Sequence, residues 1–207
     1  MIVPNRDDDL LQDYLCATAP SIGHNSKQGP NTMKEYSIHG PFVIRRQPNG
    51  HIDRRPTAIN EFWETVSEAV KDLPTACGCY LFAVRAAKGI RPWYVGLAEK
   101  QTFEEECFTL HKREIYNEVL VNRKGTPFLF FLAKRTNTGR FANPGRNGSR
   151  TSRFLETLLI GAALEKNAEL MNVHKTNALC EISVPFLVNS PRSRPSRAES
   201  VFRLAIE

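Results

Sequence analysis

The sequence predicts an α+β domain, an α/β arrangement of a small three-stranded antiparallel sheet flanked by helices, spanning residues 57–175 of a 207-residue chain. Three observations predict it. Apolar residues recur at helical spacing from Ile59 to Leu73. Three short apolar and aromatic runs, at 78–84, 93–96 and 127–133, are too short for core helices and rich in strand-forming residues. A second helical pattern follows a Gly-, Asn- and Arg-rich stretch.

Residues 1–35 mix acids with proline, glycine, serine and asparagine and show no sustained period, which predicts a flexible N-terminal arm. In residues 36–56 the strand-like Phe42-Val43-Ile44 precedes the turn signal Pro48-Asn49-Gly50, predicting a small hairpin or a linker. Ile59, Phe62, Trp63, Val66, Val70 and Leu73 fall on one face of a helix that ends before Pro74. Gly78 to Val84 and Trp93 to Gly96 then read as two strands joined by a turn at Lys88-Gly89. From Gln101 to Val121 the pattern is helical with an interruption near His111, and Pro127 to Ala133 reads as a buried third strand. Arg135 to Arg150 reads as a loop. Thr151 or Ser152 can cap a helix whose apolar positions are Phe154, Leu155, Leu158, Leu159 and Ala162. Residues 176–207 form a C-terminal extension in which Ser196 and Glu199 make a capping box for a short helix.

The composition, 41% hydrophobic and 24% charged, is that of an ordinary globular protein. No run approaches the roughly 18 apolar residues a membrane span needs, and the first residues lack a basic, apolar leader, which predicts a cytoplasmic protein with no membrane partner. The five cysteines have neither zinc nor disulfide spacing; Cys77 and Cys79 read as buried strand thiols. Net charge is +6, and its distribution says more than its size. Between Val119 and Leu164 the one acid, Glu156, stands among Arg123, Lys124, Lys134, Arg135, Arg140, Arg146, Arg150 and Arg153. A surface that tracks nucleic-acid phosphates needs many cations without interleaved carboxylates, so Lys134, Arg135, Arg140, Arg146, Arg150 and Arg153 are candidate DNA contacts.

Gly78-Cys79-Tyr80 and Tyr94-Val95-Gly96 occupy the two arms of one hairpin, ahead of helices, a strand and a helix bearing Glu156, with Asn172 sixteen positions further on. This order resembles the GIY-YIG nuclease superfamily over about 120 residues. The resemblance implies two tyrosines, Tyr80 and Tyr94, facing one shallow site, a divalent metal (Mg²⁺ or Mn²⁺) held by Glu156, and support from Asn172. The family also carries an arginine on the helix after the second tyrosine. Here that region reads Phe103-Glu104-Glu105-Glu106-Cys107, so Lys112 or Arg113 would reach in from the following turn. His111 fits either a proton shuttle or an ordinary helix-end histidine. Cys79 stands where the family has an aliphatic residue, and the thirteen residues between the tyrosines exceed the family's usual span.

The residue types suit phosphodiester hydrolysis, which needs an activated water, a cation at the developing charge and a path for protons. The function expected is therefore metal-dependent DNA cleavage, with Tyr80 or Tyr94 activating water beside His111, Lys112 and Arg113. The alternative is a degenerate, DNA-binding or assembly module of the same descent. A third reading has the basic surface serving RNA or an acidic protein, with the N-terminal arm as a tether. A protein partner or a homodimer would supply sequence specificity.

Overall fold

A computed structural model describes residues 33–86, 89–121, 123–172 and 196–198. Its elements are β1 (Tyr36–Val43), α1 (Pro56–Ala69), β2 (Gly78–Ala86), β3 (Gly89–Ala98), α2 (Phe103–Cys107), α3 (Leu110–Leu120), β4 (Thr126–Lys134) and α4 (Arg150–Lys166). The sheet is antiparallel throughout, in the order β1-β4-β2-β3. It has four strands where the sequence predicted three. The fourth is β1, which pairs with β4 from Tyr36↔Lys134 to Val43↔Phe128. Gly40-Pro41 interrupts its alternation and shifts its register, and its exposed Ile38 and Val43 break the one-face pattern by which a strand is read. The region expected as a separate hairpin or linker thus begins inside the sheet. Beyond β1 the bridge Arg46↔Ile52, with bonds from Gln47 N to His51 O and from Asp53 N to Arg45 O, closes a small hairpin around the expected turn.

Strand alternation divides the core in two. Tyr80, Phe82, Tyr94, Leu129 and Phe131 face α1, α2 and α3, joining Phe62, Trp63, Val66, Phe103, Tyr116 and Leu120 in the larger cluster. Leu81 and Val95 point to the reverse face and meet Ile160, Ala163 and Leu170. There α4 crosses β2 and β3, close enough for the Cys79 thiol to reach the carbonyl of Ser152 at 3.3 Å. The sheet is therefore a layer between α1–α3 and α4.

The helices differ from expectation in instructive ways. Pro56 starts α1 in the first-turn position it tolerates, while the helix ends at Ala69, so Val70 and Leu73 pack from the following turn. The expected interruption near His111 falls at residues 108–109, between α2 and α3. A full capping box closes the start of α2: Thr102 Oγ1 accepts from Glu105 N, and Glu105 Oε2 accepts from Thr102 N. Ser149 caps α4, rather than Thr151 or Ser152, and its buried stripe is Ser152, Glu156, Ile160 and Ala163. Phe154 and Leu158, expected in the core, are exposed, at 65% and 55%. Cys77 and Cys79 are buried and in no disulfide; Cys79 lies in β2 as the sequence predicted, whereas Cys77 just precedes it. Among the described residues no helix is long and apolar enough to cross a membrane. The N-terminal arm through residue 32 and most of residues 173–207, including His174, lie outside the described residues; 197–198 are helical where the terminal helix was expected.

Candidate active site on the Tyr80–Tyr94 face

The hairpin of β2 and β3 places Tyr80 directly opposite Gly96 and Phe82 opposite Tyr94. Tyr80 and Tyr94 are thus diagonal neighbours on one face, with ring centroids 6.2 Å apart. The Tyr80 ring lies over the Cα of Gly96 so closely that a methyl group there would overlap its far end. A strand glycine exposes backbone and packs nothing of its own, and the cross-strand aromatic ring covers that gap. This packing gives both tripeptides a structural meaning: the glycine of the second makes room for the tyrosine of the first.

The two tyrosines have different surroundings. Tyr80 is fully buried, and neither its hydroxyl nor that of Tyr116 makes a hydrogen bond of good geometry among the described residues, although the two lie near enough to interact weakly. Burial, with smaller contributions from Tyr116, Cys107, Tyr94 and Glu106, holds the Tyr80 phenol well above its ordinary pKa. That burial disfavours its phenolate, the form a base needs. Tyr80→Phe should leave stability unchanged or raise it by up to about 1–3 kcal/mol, the cost of a buried, unsatisfied hydroxyl. Urea unfolding checks this, and a clear drop in midpoint would show that the hydroxyl has a stabilising partner.

Tyr94, 9% exposed, has its hydroxyl oxygen bound by Lys112 Nζ at 2.6 Å, with the ammonium 4.9 Å from the ring centroid. An ammonium has only protons to give, so the Tyr94 oxygen accepts and its own hydrogen is left for another acceptor. Glu106 holds the same ammonium from the other side at 3.4 Å, and both side chains are largely buried. Burial alone would lower the Lys112 pKa, but the Tyr94 hydrogen bond and the Glu106 carboxylate outweigh it and leave the lysine above its ordinary value. Glu106 lies in the acidic run that the sequence showed only as a missing arginine.

Arg113, next to Lys112 on α3, has a buried Nε with no acceptor and no carboxylate partner among the described residues. His111 is exposed and is not in the Tyr94–Lys112 contact. Asn172 grips the outer edge of β3: Val95 N donates to its Oδ1 at 2.9 Å, and its Nδ2 donates to Val95 O at 2.7 Å. Asn167 Nδ2 to Pro92 O and Met171 N to Trp93 O continue the same seam. This cover keeps the edge strand from pairing elsewhere and fixes the backbone beside Tyr94.

Glu156 is buried on the sheet-facing stripe of α4. The later members of that stripe, Ile160 and Ala163, pack with Val95 on the face of the sheet opposite Tyr94. Among the described residues no three His, Cys, Asp or Glu side chains group to hold a metal. One carboxylate is nonetheless a donor set that Mg²⁺ accepts, because that ion keeps most of its waters and takes substrate phosphates as further ligands.

The basic residues do not act alike. Glu99, fifty positions upstream, enters the basic stretch in space: it pairs with Arg153 at 3.2 Å and accepts from Ser149 N at 2.7 Å. Lys134 donates to Ser149 Oγ, and Arg135 donates to Ser37 Oγ and Gly139 O while stacking on Phe141 at 3.9 Å. Arg135↔Phe141 is a bridged turn, which orders the first half of the expected loop. Arg140, Arg146 and Arg150 are exposed and have no ion-pair partner among the described residues. Comparison with protein-family models, curated proteins and solved structures finds no match to this chain.

Proposed function

We propose that this chain is a metal-dependent DNA endonuclease of the GIY-YIG type, in which Tyr94 is the working tyrosine. The observation that carries the reading is the 2.6 Å hydrogen bond from Lys112 to the Tyr94 hydroxyl. That ammonium sits where negative charge develops as the phenol gives up its proton, and it needs no reorganisation at the moment of reaction. Tyr94, its own proton released to solvent, then takes a proton from the attacking water, while Arg113, whose buried Nε has no acceptor among the described residues, is the candidate to meet the phosphate. Tyr80 is a packing and positioning residue that fixes the hairpin through Gly96. Asn172 holds the strand on which Tyr94 is carried. Mg²⁺ or Mn²⁺ held by Glu156 would supply Lewis-acid stabilisation of the phosphate. Arg140, Arg146 and Arg150, with no ion-pair partner among the described residues, are the cations for the DNA backbone, while Lys134, Arg135 and Arg153 also hold the loop.

The test is nicking of supercoiled plasmid by the full chain in Mg²⁺, Mn²⁺ or EDTA, beside Glu156→Gln. We expect metal-dependent nicking that the variant loses while its thermal unfolding is retained. Nicking that survives in the variant would remove Glu156 from the site.

One observation favours a second reading, a DNA-binding or assembly module that does not cut: the α4 stripe that includes Glu156 packs, through Ile160 and Ala163, on the face of the sheet opposite Tyr94. That reading gives steeply salt-dependent DNA binding with no nicking in any metal.

A further inference from the structure

The turn after β4 and the segment after α1 enclose a cavity of about 490 Å³ lined by Lys71, Asp72, Thr75, Arg135, Arg140, Phe141 and Asn143. We propose that it binds a nucleoside phosphate monoester, either free or as the phosphorylated end of a nucleic-acid strand. Three features carry this. The lining has three cations and one carboxylate, a surplus of two positive charges that matches a phosphate monoester, about −1.5 to −2 at neutral pH. A backbone diester, with a single charge, matches it less well.

The cations are arranged for capture. Arg135 is held in place by Ser37 Oγ, Gly139 O and the face of Phe141, so its fork loses little freedom on binding. Lys71 and Arg140 have no ion-pair partner among the described residues, and the bond from Gly139 N to Thr136 O closes the turn that presents Arg140. The volume is more than one phosphate fills and lies within the roughly 300–1,000 Å³ range of small-molecule sites, leaving room for a sugar and base. Asn143 adds an amide for their polar atoms.

Only the strand-end source rests on the nuclease reading; the affinity for a nucleoside monophosphate does not. The test is calorimetric titration of the full chain with a deoxynucleoside 5′-monophosphate, the matching nucleoside and inorganic phosphate, without divalent metal. We expect the monophosphate to bind tightest and the Lys71→Ala/Arg140→Ala double variant to weaken it at least tenfold. Asp72→Asn should tighten it several-fold, because the one opposing charge goes and asparagine accepts the left-handed backbone at this position, φ 64°. Equal affinity for nucleoside and monophosphate, or no response to these substitutions, overturns the proposal. A 5′-phosphorylated oligonucleotide that outcompetes its 5′-hydroxyl form supports the strand-end source, and equal competition by the two supports the free nucleotide. Neither outcome depends on whether plasmid is cut.

Discussion

Gly96→Ala is expected to be strongly destabilising, costing at least the upper part of the roughly 1–3 kcal/mol typical of overpacking. The added Cβ would overlap the outer end of the Tyr80 ring, and that ring has no room to retreat. Tyr80 is fully buried, sits opposite Phe131 on its other side and packs within the cluster that holds Phe82, Phe103 and Tyr116. The backbone of Gly96 is equally constrained by its ladder with β2. Urea unfolding of the single variant measures the cost. Combining it with Tyr80→Ala tests the cause, because the two changes should be strongly non-additive: once the ring is gone the methyl fits, and the double variant should lose less than the sum. An unfolding midpoint for Gly96→Ala equal to that of the parent chain would mean that the tyrosine does not lie on the glycine.

The same contact shows what was legible in the sequence. The two tripeptides stood out because each needs special residues in a strand, and the antiparallel hairpin, the break between α2 and α3 and the buried β4 followed from local patterns alone. What escaped were features made by residues far apart. β1 was hidden by Gly40-Pro41 and by side chains that alternate poorly, since its place is set by pairing with residues of β4 that lie 85 to 98 positions later. On α4 the apolar residues spread around the helix, so periodicity chose the face of Phe154 and Leu158, whereas the sheet selected the stripe of Ser152, Glu156, Ile160 and Ala163. The basic stretch looked free of carboxylates because Glu99, which pairs with Arg153, arrives from another strand end. Glu106 could have been found by asking what partner a lysine near the second tyrosine would need. The choice of Lys112 over His111 and Arg113 depends on the rotation of α3, which a short helix of low amphipathicity does not announce.

Tyr94→Phe is expected to lower the plasmid-nicking rate by about 10²–10⁴-fold, the range for loss of a positioned proton-transfer group. Lys112→Met should approach the same loss, because it removes the cation from the oxygen that must carry charge. The two form one unit joined by a 2.6 Å bond, so the double variant should be little worse than Tyr94→Phe alone. His111→Ala, at an exposed position outside the contact, should leave the rate within a few-fold of the parent. Folding separates chemistry from packing. Removing the Tyr94 hydroxyl leaves Lys112 paired with Glu106, so the fold should survive, whereas Lys112→Met strands the Glu106 carboxylate at a largely buried site and should cost stability as well. The sign of the lysine shift adds a pH test. Its folded pKa is raised, so its stabilising effect is fully present below the ordinary lysine value and is lost only as pH rises through the raised one. Lys112→Met should therefore be less stable than the parent at neutral pH and should draw level with it only in strong alkali. Additive effects of Tyr94→Phe and Lys112→Met on nicking would show that the hydrogen bond between them is no part of catalysis, and would leave Tyr94 acting without the lysine.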